Sequence, residues 1–307
     1  MSTTIASEIR NVCPICSSLS HSPVIVVSSV VILQCHNCHF IFPEEIPSAD
    51  QLRFTYDHGY SDKRIIQGQR VNAFTNARIL KKLIGDLGGK KILDVGSGYG
   101  FLPSLLSSEH NIKCDGLEIS SAQRDHSSNV LNINTFSDLG NVSYSYDIIC
   151  AFEVIEHISS PLHFIEDLTR LLVPGGHLVL ATDNFQSKTV LEMGSSFPKW
   201  IPDEHISCFS PSSLNFLLGH MSCLFNTKIY TYEPWEMLAF RLAHRIKCLF
   251  GMITTPLLSS HSLQASPQSN TYRFYQLRKL LNPIWSPRAL SGSGLGEMIV
   301  AHSRKMY

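Results

Sequence analysis

The sequence predicts an α/β fold, with a doubly wound parallel sheet that follows a small metal-stabilised module. Short apolar strands alternate with helical segments from residue 90 onward, which is the pattern of a parallel sheet covered by helices on both faces. Two Cys-x2-Cys pairs precede that pattern. We therefore divide the chain into a metal-binding module at 1–45, a linker and helical lid at 46–89, and an α/β domain at 90–307. Residues 235–295 are predicted to form an irregular or helical insertion in this domain.

Composition limits the classes of function. The chain has 307 residues, of which 44% are hydrophobic and 16% charged, so it holds enough apolar material for a sizeable core and is not disordered. Its 25 basic and 25 acidic residues give a formal net charge of zero, which does not favour broad capture of nucleic acid or of an anionic membrane. The apolar run from Val24 to Leu33 is too short to cross a bilayer and lacks the flanks of a signal peptide. We therefore expect a cytoplasmic protein without a transmembrane segment.

Four of the nine cysteines stand in the first 38 residues, and the other five are scattered singly. The 18 residues between the two Cys-x2-Cys pairs fall within the spacing of four-thiolate zinc sites. Such a site is closed, so zinc would stabilise the module rather than take part in catalysis. Four buried thiols without metal are the alternative, and the distribution indicates a reducing compartment. The predicted ligands are Cys13, Cys16, Cys35 and Cys38.

Helical and strand periodicities follow in order along the rest of the chain. Apolar residues recur at helical spacing from Arg64 to Leu87, and Gly88-Gly89 is expected to end that helix. Further helices are predicted after Gly100, at Leu162–Val173 and at Pro211–Met221. Strands are predicted at Lys91–Val95, Cys114–Ile119, Ile133–Phe136, Tyr146–Phe152, His177–Ala181, Asn226–Tyr232 and Glu297–His302.

A glycine-rich turn follows the first strand of the α/β domain. The strand runs into the sequence Gly-Ser-Gly-Tyr-Gly at 96–100 and then into a helix, and glycines there let the backbone turn sharply and approach a ligand. Glu118 ends the next strand, where an acid can accept hydrogen bonds from the hydroxyls of an adenosine ribose. A nicotinamide dehydrogenase is the main alternative, but its loop usually reads Gly-x-Gly-x-x-Gly, and here the third glycine comes one residue early.

These segments resemble the class I S-adenosylmethionine-dependent methyltransferases. The matching stretches are LDVGSGYG (93–100), GLEIS (116–120), FSDL (136–139), YDIICAFEVIEHI (146–158) and LLVPGGHLVLATDN (171–184). The resemblance covers about 60–234 and resumes at 296–305, which is similar to the antiparallel seventh strand of the family. It implies a seven-stranded, Rossmann-like sheet that binds S-adenosylmethionine.

The cysteine pairs and the DEHISCFSPSSL segment at 203–214 resemble a bacterial subgroup that joins a zinc ribbon to a methyltransferase. That subgroup is common in pathways for glycans and specialised metabolites. Sugar C-methyltransferases share the zinc knot but usually carry a further C-terminal domain that this chain is too short to hold. The resemblance therefore implies methylation of oxygen or carbon in a small-molecule acceptor, without fixing the acceptor.

The resemblance also assigns residues to parts of the cofactor. The glycine turn and the acid before it would contact the methionine part, Glu118 would hold the ribose, and the ends of the next strands would border the adenine and the methionyl group. The residues implied are Asp94, Gly96, Ser97, Gly98 and Gly100 for methionine, Glu118 for ribose, Ile119, Asp138 and Leu139 for adenine, and Phe152 and Glu153 for the methionyl end.

Acceptor chemistry is expected just after the strand that ends at Phe152. If a helical turn starts there, Glu153, Glu156 and His157 share one face. His157 is our first candidate for a general base and His205 the second, because an unperturbed imidazole titrates near neutral pH.

The same side chains have two other interpretations. Glu156 and His157 could simply cap a loop, and His205 could pack within one. Alternatively, the pattern resembles the divalent-metal ligands of ubiquinone-pathway O-methyltransferases and of small-RNA 2′-O-methyltransferases, with His205 as the further ligand. An RNA substrate is not favoured, because the chain has no net positive charge to follow phosphates.

Two further expectations concern partners and class. The amphipathic segment 239–262 is predicted to be a lid or a helix of a homo-oligomer interface rather than a membrane-docking helix, because its cationic run is short. A different class of protein, a zinc-stabilised binding or scaffold protein with a vestigial cofactor fold, is the second hypothesis. The complete glycine turn and Glu118 argue against it.

Overall fold

The computed structural model describes residues 7–59, 62–109, 112–235 and 275–307. An N-terminal module packs against one seven-stranded sheet with helices on both faces. None of the helices in these ranges combines the length and apolar character that a bilayer span requires. The segment 239–262, predicted to be a lid or dimer helix, lies outside the described residues.

Two small antiparallel sheets build the N-terminal module. A hairpin of β2 and β3 joins the two Cys-x2-Cys turns, and β4 adds a third strand to it, while β1 pairs with β5. The strands are β1 (Ser7–Ile9), β2 (His21–Val27), β3 (Val30–Cys35), β4 (Ile41–Pro43) and β5 (Glu45–Pro47).

The stretch predicted to be a linker is mostly helical. Helix α1 (Ala49–His58) begins after Ser48, whose hydroxyl accepts the backbone N–H of Gln51 and so satisfies a free donor of the first turn. Helix α2 (Lys63–Ile84) matches the predicted helical lid, but it ends at Gly85 rather than at Gly88-Gly89, because Gly85 has a positive φ of 94° that suits a glycine cap.

The main sheet has seven strands in the order β11-β12-β10-β9-β6-β7-β8. Six of them run in one direction, and β12 lies antiparallel between β10 and β11, which confirms the predicted doubly wound, seven-stranded fold. The strands are β6 (Lys91–Val95), β7 (Lys113–Leu117), β8 (Thr135–Phe136), β9 (Tyr146–Phe152), β10 (Leu172–Asp183), β11 (Leu224–Tyr232) and β12 (Met298–Lys305).

Helices bury both faces of this sheet, and each face forms its own core. Buried residues of α2 and α3 pack with Ile92, Ile148 and Val179 on one face, and those of α5 and α7 pack with Leu93 and Ile149 on the other. The strands therefore contribute alternate residues to the two cores. The remaining helices are α3 (Phe101–Ser107), α4 (Ser121–Leu131), α5 (Pro161–Arg170), α6 (Lys188–Met193), α7 (Pro211–Gly219) and α8 (Tyr275–Ala289).

The module and the sheet share a core. Phe40 stacks on Phe42 and lies 4.9 Å, centroid to centroid, from Phe209 of the α/β domain. The backbone of Ile41 pairs with that of Cys208. The N-terminal module therefore packs directly on the loop that follows α6, which carries His205.

Candidate active site

The glycine turn connects β6 to α3 at the carboxyl edge of the sheet. Gly96, Gly98 and Gly100 have φ values of 71°, 55° and 81°, in the left-handed region that favours glycine. A Cβ added at Gly96 would lie 2.4 Å from the Val154 side chain, and one at Gly98 would lie 2.3 Å from Oε1 of Gln69. The conformation therefore favours glycine at all three positions, and at Gly96 the close approach of Val154 adds a second reason.

Glu118, directly after β7, faces this turn. One carboxylate oxygen accepts the backbone N–H of Gly98 and the other that of Ser120, both at 2.8 Å. Burial raises the pKa of Glu118, although these N–H groups favour the ionised form. Because a carboxylate oxygen can accept two hydrogen bonds, each oxygen keeps one acceptor position that could take a ribose hydroxyl.

Two buried hydroxyls beside this carboxylate suit a polar ligand. The Oγ atoms of Ser97 and Ser120 have no hydrogen-bond partner among the described residues, and a buried hydroxyl without a partner is costly. The side chain of Ile119, next to Glu118, is 44% exposed, so it leaves an apolar surface for a flat ring. The glycine turn, the acid and these hydroxyls fit S-adenosylmethionine.

The other residues assigned to the cofactor lie along the same edge. Strands β9, β6, β7 and β8 are neighbours, so their carboxyl ends bring Phe152, Asp94, Glu118 and Asp138 side by side. Asp94 is buried, and burial raises its pKa to about 7, against the effect of the Cys150 thiol that donates to it. Leu139 begins a short 3-10 turn after Asp138.

His157 and His205 meet at the carboxyl ends of β9 and β10. Their ring centroids are 5.0 Å apart. Nδ1 of His157 lies 2.9 Å from the carbonyl oxygen of Glu204, and Nδ1 of His205 lies 2.9 Å from that of Lys199. Since a carbonyl can only accept, both Nδ1 atoms carry the proton, and both Nε2 atoms keep a lone pair. Burial lowers the pKa of each ring, so both are neutral at neutral pH.

Glu156 completes a cluster with the two histidines. Ligand atoms of Glu156, His157 and His205 all lie within 4.8 Å of one another. Glu156 is 1% exposed and accepts a hydrogen bond from the Thr182 hydroxyl at 2.8 Å. Burial, followed by the nearby carboxylate of Asp183, raises its pKa to about 8. The cluster thus combines two imidazole lone pairs with a carboxyl group that is largely protonated at neutral pH.

Glu153 lies outside this cluster, so the predicted common helical face of Glu153, Glu156 and His157 is wrong. Glu153 has a φ of 57°, and the 3-10 turn that follows begins only at Ile155. The Glu153 carboxylate instead accepts a hydrogen bond from Nδ2 of Asn72 on α2 at 3.2 Å. A left-handed residue ahead of the turn cannot share its face.

Asp183, Lys199 and Gln69 belong to this region and were not predicted. Asp183 is fully buried at the end of β10, and its carboxylate pairs with Nζ of Lys199 at 3.0 Å and lies 3.8 Å from Nδ1 of His205. Gln69 of α2 accepts the backbone N–H of Tyr99. An acid at the end of an apolar strand was a usable signal for Asp183, whereas Lys199 and Gln69 stand in no recognisable pattern.

The four N-terminal cysteines form a second cluster, far from the glycine turn along the chain. Their sulfur atoms all lie within 4.8 Å of one another, with Cys13 and Cys38 at 3.4 Å and Cys16 and Cys35 at 3.5 Å. A tetrahedral zinc with Zn–S bonds of about 2.3 Å needs sulfurs about 3.8 Å apart. The cysteines of the described ranges are free thiols, and this donor set suits zinc.

A parallel sheet with a glycine turn and a buried acid at its carboxyl edge defines an α/β domain that binds an adenosine cofactor. The family model described as a methyltransferase domain matches residues 68–220. Residues 68–220 therefore belong to the class I S-adenosylmethionine-dependent methyltransferases.

Curated relatives include O-methyltransferases. The ubiquinone biosynthesis O-methyltransferase of Vibrio cholerae is 26% identical over 171 residues, which cover 49% of this chain and 67% of that protein. The mitochondrial ubiquinone biosynthesis O-methyltransferase of Dictyostelium discoideum is 32% identical over 118 residues, which cover 32% of this chain and 36% of that protein. The similarity therefore spans between about a third and two thirds of these relatives.

Solved structures share the fold. Phosphoethanolamine N-methyltransferase 2 of Haemonchus contortus, in complex with S-adenosyl-L-methionine, superposes with a TM-score of 0.54 at 14% identity, covering 87% of this chain and 63% of that one. A SAM-dependent methyltransferase of Thermotoga maritima gives a TM-score of 0.52 at 13% identity, covering 83% and 99%. At these identities the likeness concerns the fold alone.

Proposed function

We propose that the protein transfers the methyl group of S-adenosylmethionine to a hydroxyl or carbon acid of a small-molecule acceptor. The observation that carries this proposal is the pair of neutral histidines, His157 and His205, whose free Nε2 atoms lie at the same sheet edge as the glycine turn. The names of the O-methyltransferase relatives support oxygen as the acceptor atom. A glycan or specialised-metabolite pathway remains a prediction.

The cofactor would be held by the residues that the sequence indicated. Glu118 would accept the ribose hydroxyls with its remaining lone pairs, and Ile119, Asp138 and Leu139 would border the adenine. S-adenosylmethionine, when bound, supplies an electrophilic methyl group and a sulfide leaving group. The residues proposed for its methionine part are Asp94, Gly96, Ser97, Gly98, Gly100, Phe152 and Glu153.

The histidines would act on the acceptor. We propose that Nε2 of His157 takes the proton of the acceptor hydroxyl as the oxygen forms its bond to the methyl carbon, with His205 as the alternative base. Burial keeps both imidazoles unprotonated at neutral pH, so each can act as a base without first losing a proton. The backbone carbonyl partners of both Nδ1 atoms hold the rings in one tautomer and orientation.

A second candidate mechanism uses a divalent metal at the same cluster. It is favoured by the three ligand atoms of Glu156, His157 and His205 within 4.8 Å, because two imidazoles and a carboxylate suit a transition-metal ion with open positions. Such an ion would polarise the acceptor oxygen and return Glu156 to its ionised form. The two mechanisms differ in the role of Glu156: only the metal mechanism expects Glu156→Ala to be about as damaging as His157→Ala.

We further propose that Cys13, Cys16, Cys35 and Cys38 hold one structural zinc ion. The proposal rests on the mutual distances of their sulfur atoms. The set offers four thiolates and leaves no open position for a substrate. The free thiols of the described ranges support a reducing, cytoplasmic location.

Calorimetry with S-adenosylmethionine and S-adenosylhomocysteine tests the cofactor assignment. Wild-type protein should bind both, and Glu118→Ala should weaken both by roughly 10- to 100-fold, since it removes charge-assisted contacts typically worth about 1.5–3 kcal/mol. Asp167→Ala, in an exposed ion pair on α5, is the matched control and should leave affinity unchanged. Equal affinity of wild type and Glu118→Ala would refute the assignment.

Turnover separates the enzyme from a scaffold protein. Methyl transfer should be measured against a panel of phenols, catechols and stabilised carbon acids, with and without prior chelation. Tight cofactor binding without turnover on any class of acceptor would support the alternative of a non-catalytic, zinc-stabilised binding protein.

A further inference from the structure

Arg10 belongs to the N-terminal module, and its charged guanidinium contacts the α/β domain. It follows β1, its backbone N–H donates to the carbonyl of Glu44, and the residue is only 7% exposed. Its guanidinium donates through Nη1 to the carbonyl oxygen of Ile206 at 2.5 Å and through Nη2 to that of Ser159 at 3.1 Å. One side chain of the module thus spans two separate segments of the α/β domain.

Those two segments carry the histidine pair. Ile206 is the residue after His205, and Ser159 comes two residues after His157. The carbonyl of Glu204 also accepts a hydrogen bond from Nδ1–H of His157. The position of the His205 segment therefore sets the orientation of the His157 ring. The distance between the segments therefore controls the orientation of the His157 ring and the position of its Nε2 atom relative to His205.

Ser207 ties the segments together from within. Its backbone N–H donates to the carbonyl of Glu156 at 2.9 Å, and its hydroxyl donates to the carbonyl of Ile158 at 2.6 Å. Arg10 adds a contact from the N-terminal module, and its planar guanidinium holds the carbonyl oxygens of Ile206 and Ser159 at once. Flexible side chains with a single donor would not fix both.

We propose that Arg10 is a positioning residue that holds the His157 and His205 segments at the spacing that catalysis requires. The inference rests on the proposed function, in which these histidines act on the acceptor. It gives the N-terminal module a role in catalysis besides its fold. It costs free energy to bury a cation whose hydrogen bonds go to neutral carbonyls. If packing alone were needed, an apolar side chain would fill this space at a lower cost in free energy.

The test measures the tautomers of His157 and His205 by NMR in full-length protein labelled with ¹⁵N-histidine. The signals of His157 and His205 are assigned by their loss in His157→Gln and His205→Gln. Wild type should show both rings protonated at Nδ1 only. Arg10→Met should give mixed tautomers at one or both rings, and Arg10→Lys should lie between Arg10→Met and wild type. Arg170→Met, an exposed arginine on α5, should match wild type.

Binding and rate measurements separate positioning from general damage. Affinity for S-adenosylhomocysteine should change by less than about 2-fold in Arg10→Met, while the single-turnover rate falls by roughly 10- to 100-fold, as expected for a misplacement of about 1 Å. Folded Arg10→Met with wild-type histidine spectra overturns the inference. Failure of both Arg10 variants to fold also overturns it, because the residue would then serve the whole fold.

The proposed function fails by a different measurement. Wild-type protein that does not bind S-adenosylhomocysteine defeats the cofactor assignment, while the comparison of histidine spectra between wild type and Arg10→Met still decides the positioning role.

Discussion

His157 and His205 have the same local arrangement although they lie in different loops. In each ring, Nδ1–H donates a hydrogen bond to a backbone carbonyl, and Nε2 keeps its lone pair. The carbonyl partner of His157 is that of Glu204 in the other loop, and the partner of His205 is that of Lys199 in its own loop. Burial lowers both pKa values, which an exposed imidazole would not show. A pair of bases available at neutral pH follows from backbone geometry and burial together.

Loss of either base should appear in the pH–rate profile. His157→Ala or His205→Ala, whichever removes the base, should lower the single-turnover rate by roughly 10²–10⁴-fold while cofactor binding remains. Wild-type activity should hold down to a pH below the ordinary histidine pKa of about 6.5, because the lowered pKa keeps the base neutral there. High pH should partly rescue the variant for a hydroxyl acceptor, since the acceptor then ionises unaided.

The control for this measurement is His220→Ala, an exposed histidine after α7, which should keep the wild-type rate. Wild-type rates for both His157→Ala and His205→Ala in folded protein would remove the histidines from the mechanism. Equal damage in Glu156→Ala, with rescue by added divalent ion instead of by high pH, would select the metal mechanism.

Glu156 should make the protein less stable as pH rises. Its folded-state pKa of about 8 lies above the ordinary value, so the folded state keeps a proton that the unfolded state has released, and stability falls from about pH 4.5 to about pH 8. Glu156→Gln should therefore lose less stability than wild type between about pH 6.5 and about pH 8.5, by on the order of 1–2 kcal/mol. Urea unfolding of cofactor-free protein at both pH values measures the difference.

The same experiment distinguishes the metal mechanism. A divalent cation that binds Glu156 prefers the carboxylate, so its addition should raise wild-type stability more at high pH than at low pH, and it should not do so in Glu156→Gln. An identical pH dependence of wild type and Glu156→Gln would contradict the raised pKa itself.

At the level of residues, the sequence identified groups that lie together in space where one spacing rule governs the contacts. The cysteine pairs and the glycine turn lie in local motifs, and the structure brings the members of each together. The grouping of Glu153 with Glu156 failed because it assumed a helical turn where the backbone is left-handed. Asp183, Arg10 and Lys199 depend on contacts across 16 to 196 residues of chain, which no local pattern encodes.

At the scale of elements, α2 acts as a cover over the glycine turn. Gln69 accepts the N–H of Tyr99 and donates to the side chain of Gln123 on α4, and Asn72 donates to Glu153. The helix therefore touches two loops that follow strands of the cofactor edge, at Tyr99 and Glu153, and the helix α4 at Gln123. Its stability should affect how well that edge is ordered.

A pair of glycine substitutions tests which elements tolerate a side chain. Gly68 lies inside α2, and an added Cβ would meet nothing within 4 Å, so Gly68→Ala should stabilise the protein by roughly 0.5–1 kcal/mol through helix propensity. Gly100→Ala is the opposite case, since its φ is 81° and a Cβ would lie 2.3 Å from the Ser127 hydroxyl. Thermal unfolding should show a higher Tm for the first variant and a lower one for the second. A lower Tm for Gly68→Ala would mean that the glycine serves another purpose.

Strand positions were predictable because each is a short apolar run bounded by turn residues. The strand predicted at Tyr146–Phe152 has the same bounds in the structure. Strand β10, however, starts at Leu172, five residues before the predicted strand. The sequence Pro174-Gly175-Gly176 indicates a turn, but the strand pairs with β9 at Leu172 and again from His177. Helix α1 was missed since its sequence is polar, and its start depends on a single cap at Ser48. Boundaries that depend on caps are less visible than apolar periodicity.

At the scale of the whole molecule, the cysteine module is part of the catalytic domain's core. The cluster that contains Cys13, Cys35 and Phe40 also contains Phe209 and Leu214, and the Ile41–Cys208 pairing adds backbone hydrogen bonds. The sequence predicts that zinc stabilises the module, and the shared core extends this expectation to the α/β domain. If zinc binds the four cysteines, the stability that it adds should therefore extend to the loop that carries His205.

Removal of zinc should loosen two regions that are distant in sequence. After chelation, hydrogen exchange should increase in 7–47 and in 204–218, because both lose a shared apolar core. Peptides from β6 and β9, in the centre of the sheet, should keep their protection. Mass spectrometry with elemental analysis should find close to one zinc per chain before treatment, and protection should return when zinc is added back.

Two outcomes would contradict this picture. Faster exchange in 7–47 alone would show that the module is energetically separate from the His205 loop, despite the contact of Phe40 with Phe209. Zinc-free protein with an undisturbed module would show that the four thiols need no metal. Chelated protein that behaves as expected should also lose the single tautomer of His205 while S-adenosylhomocysteine still binds, because the glycine turn is held by hydrogen bonds to Glu118 and to Gln69 of α2, which lie outside the module.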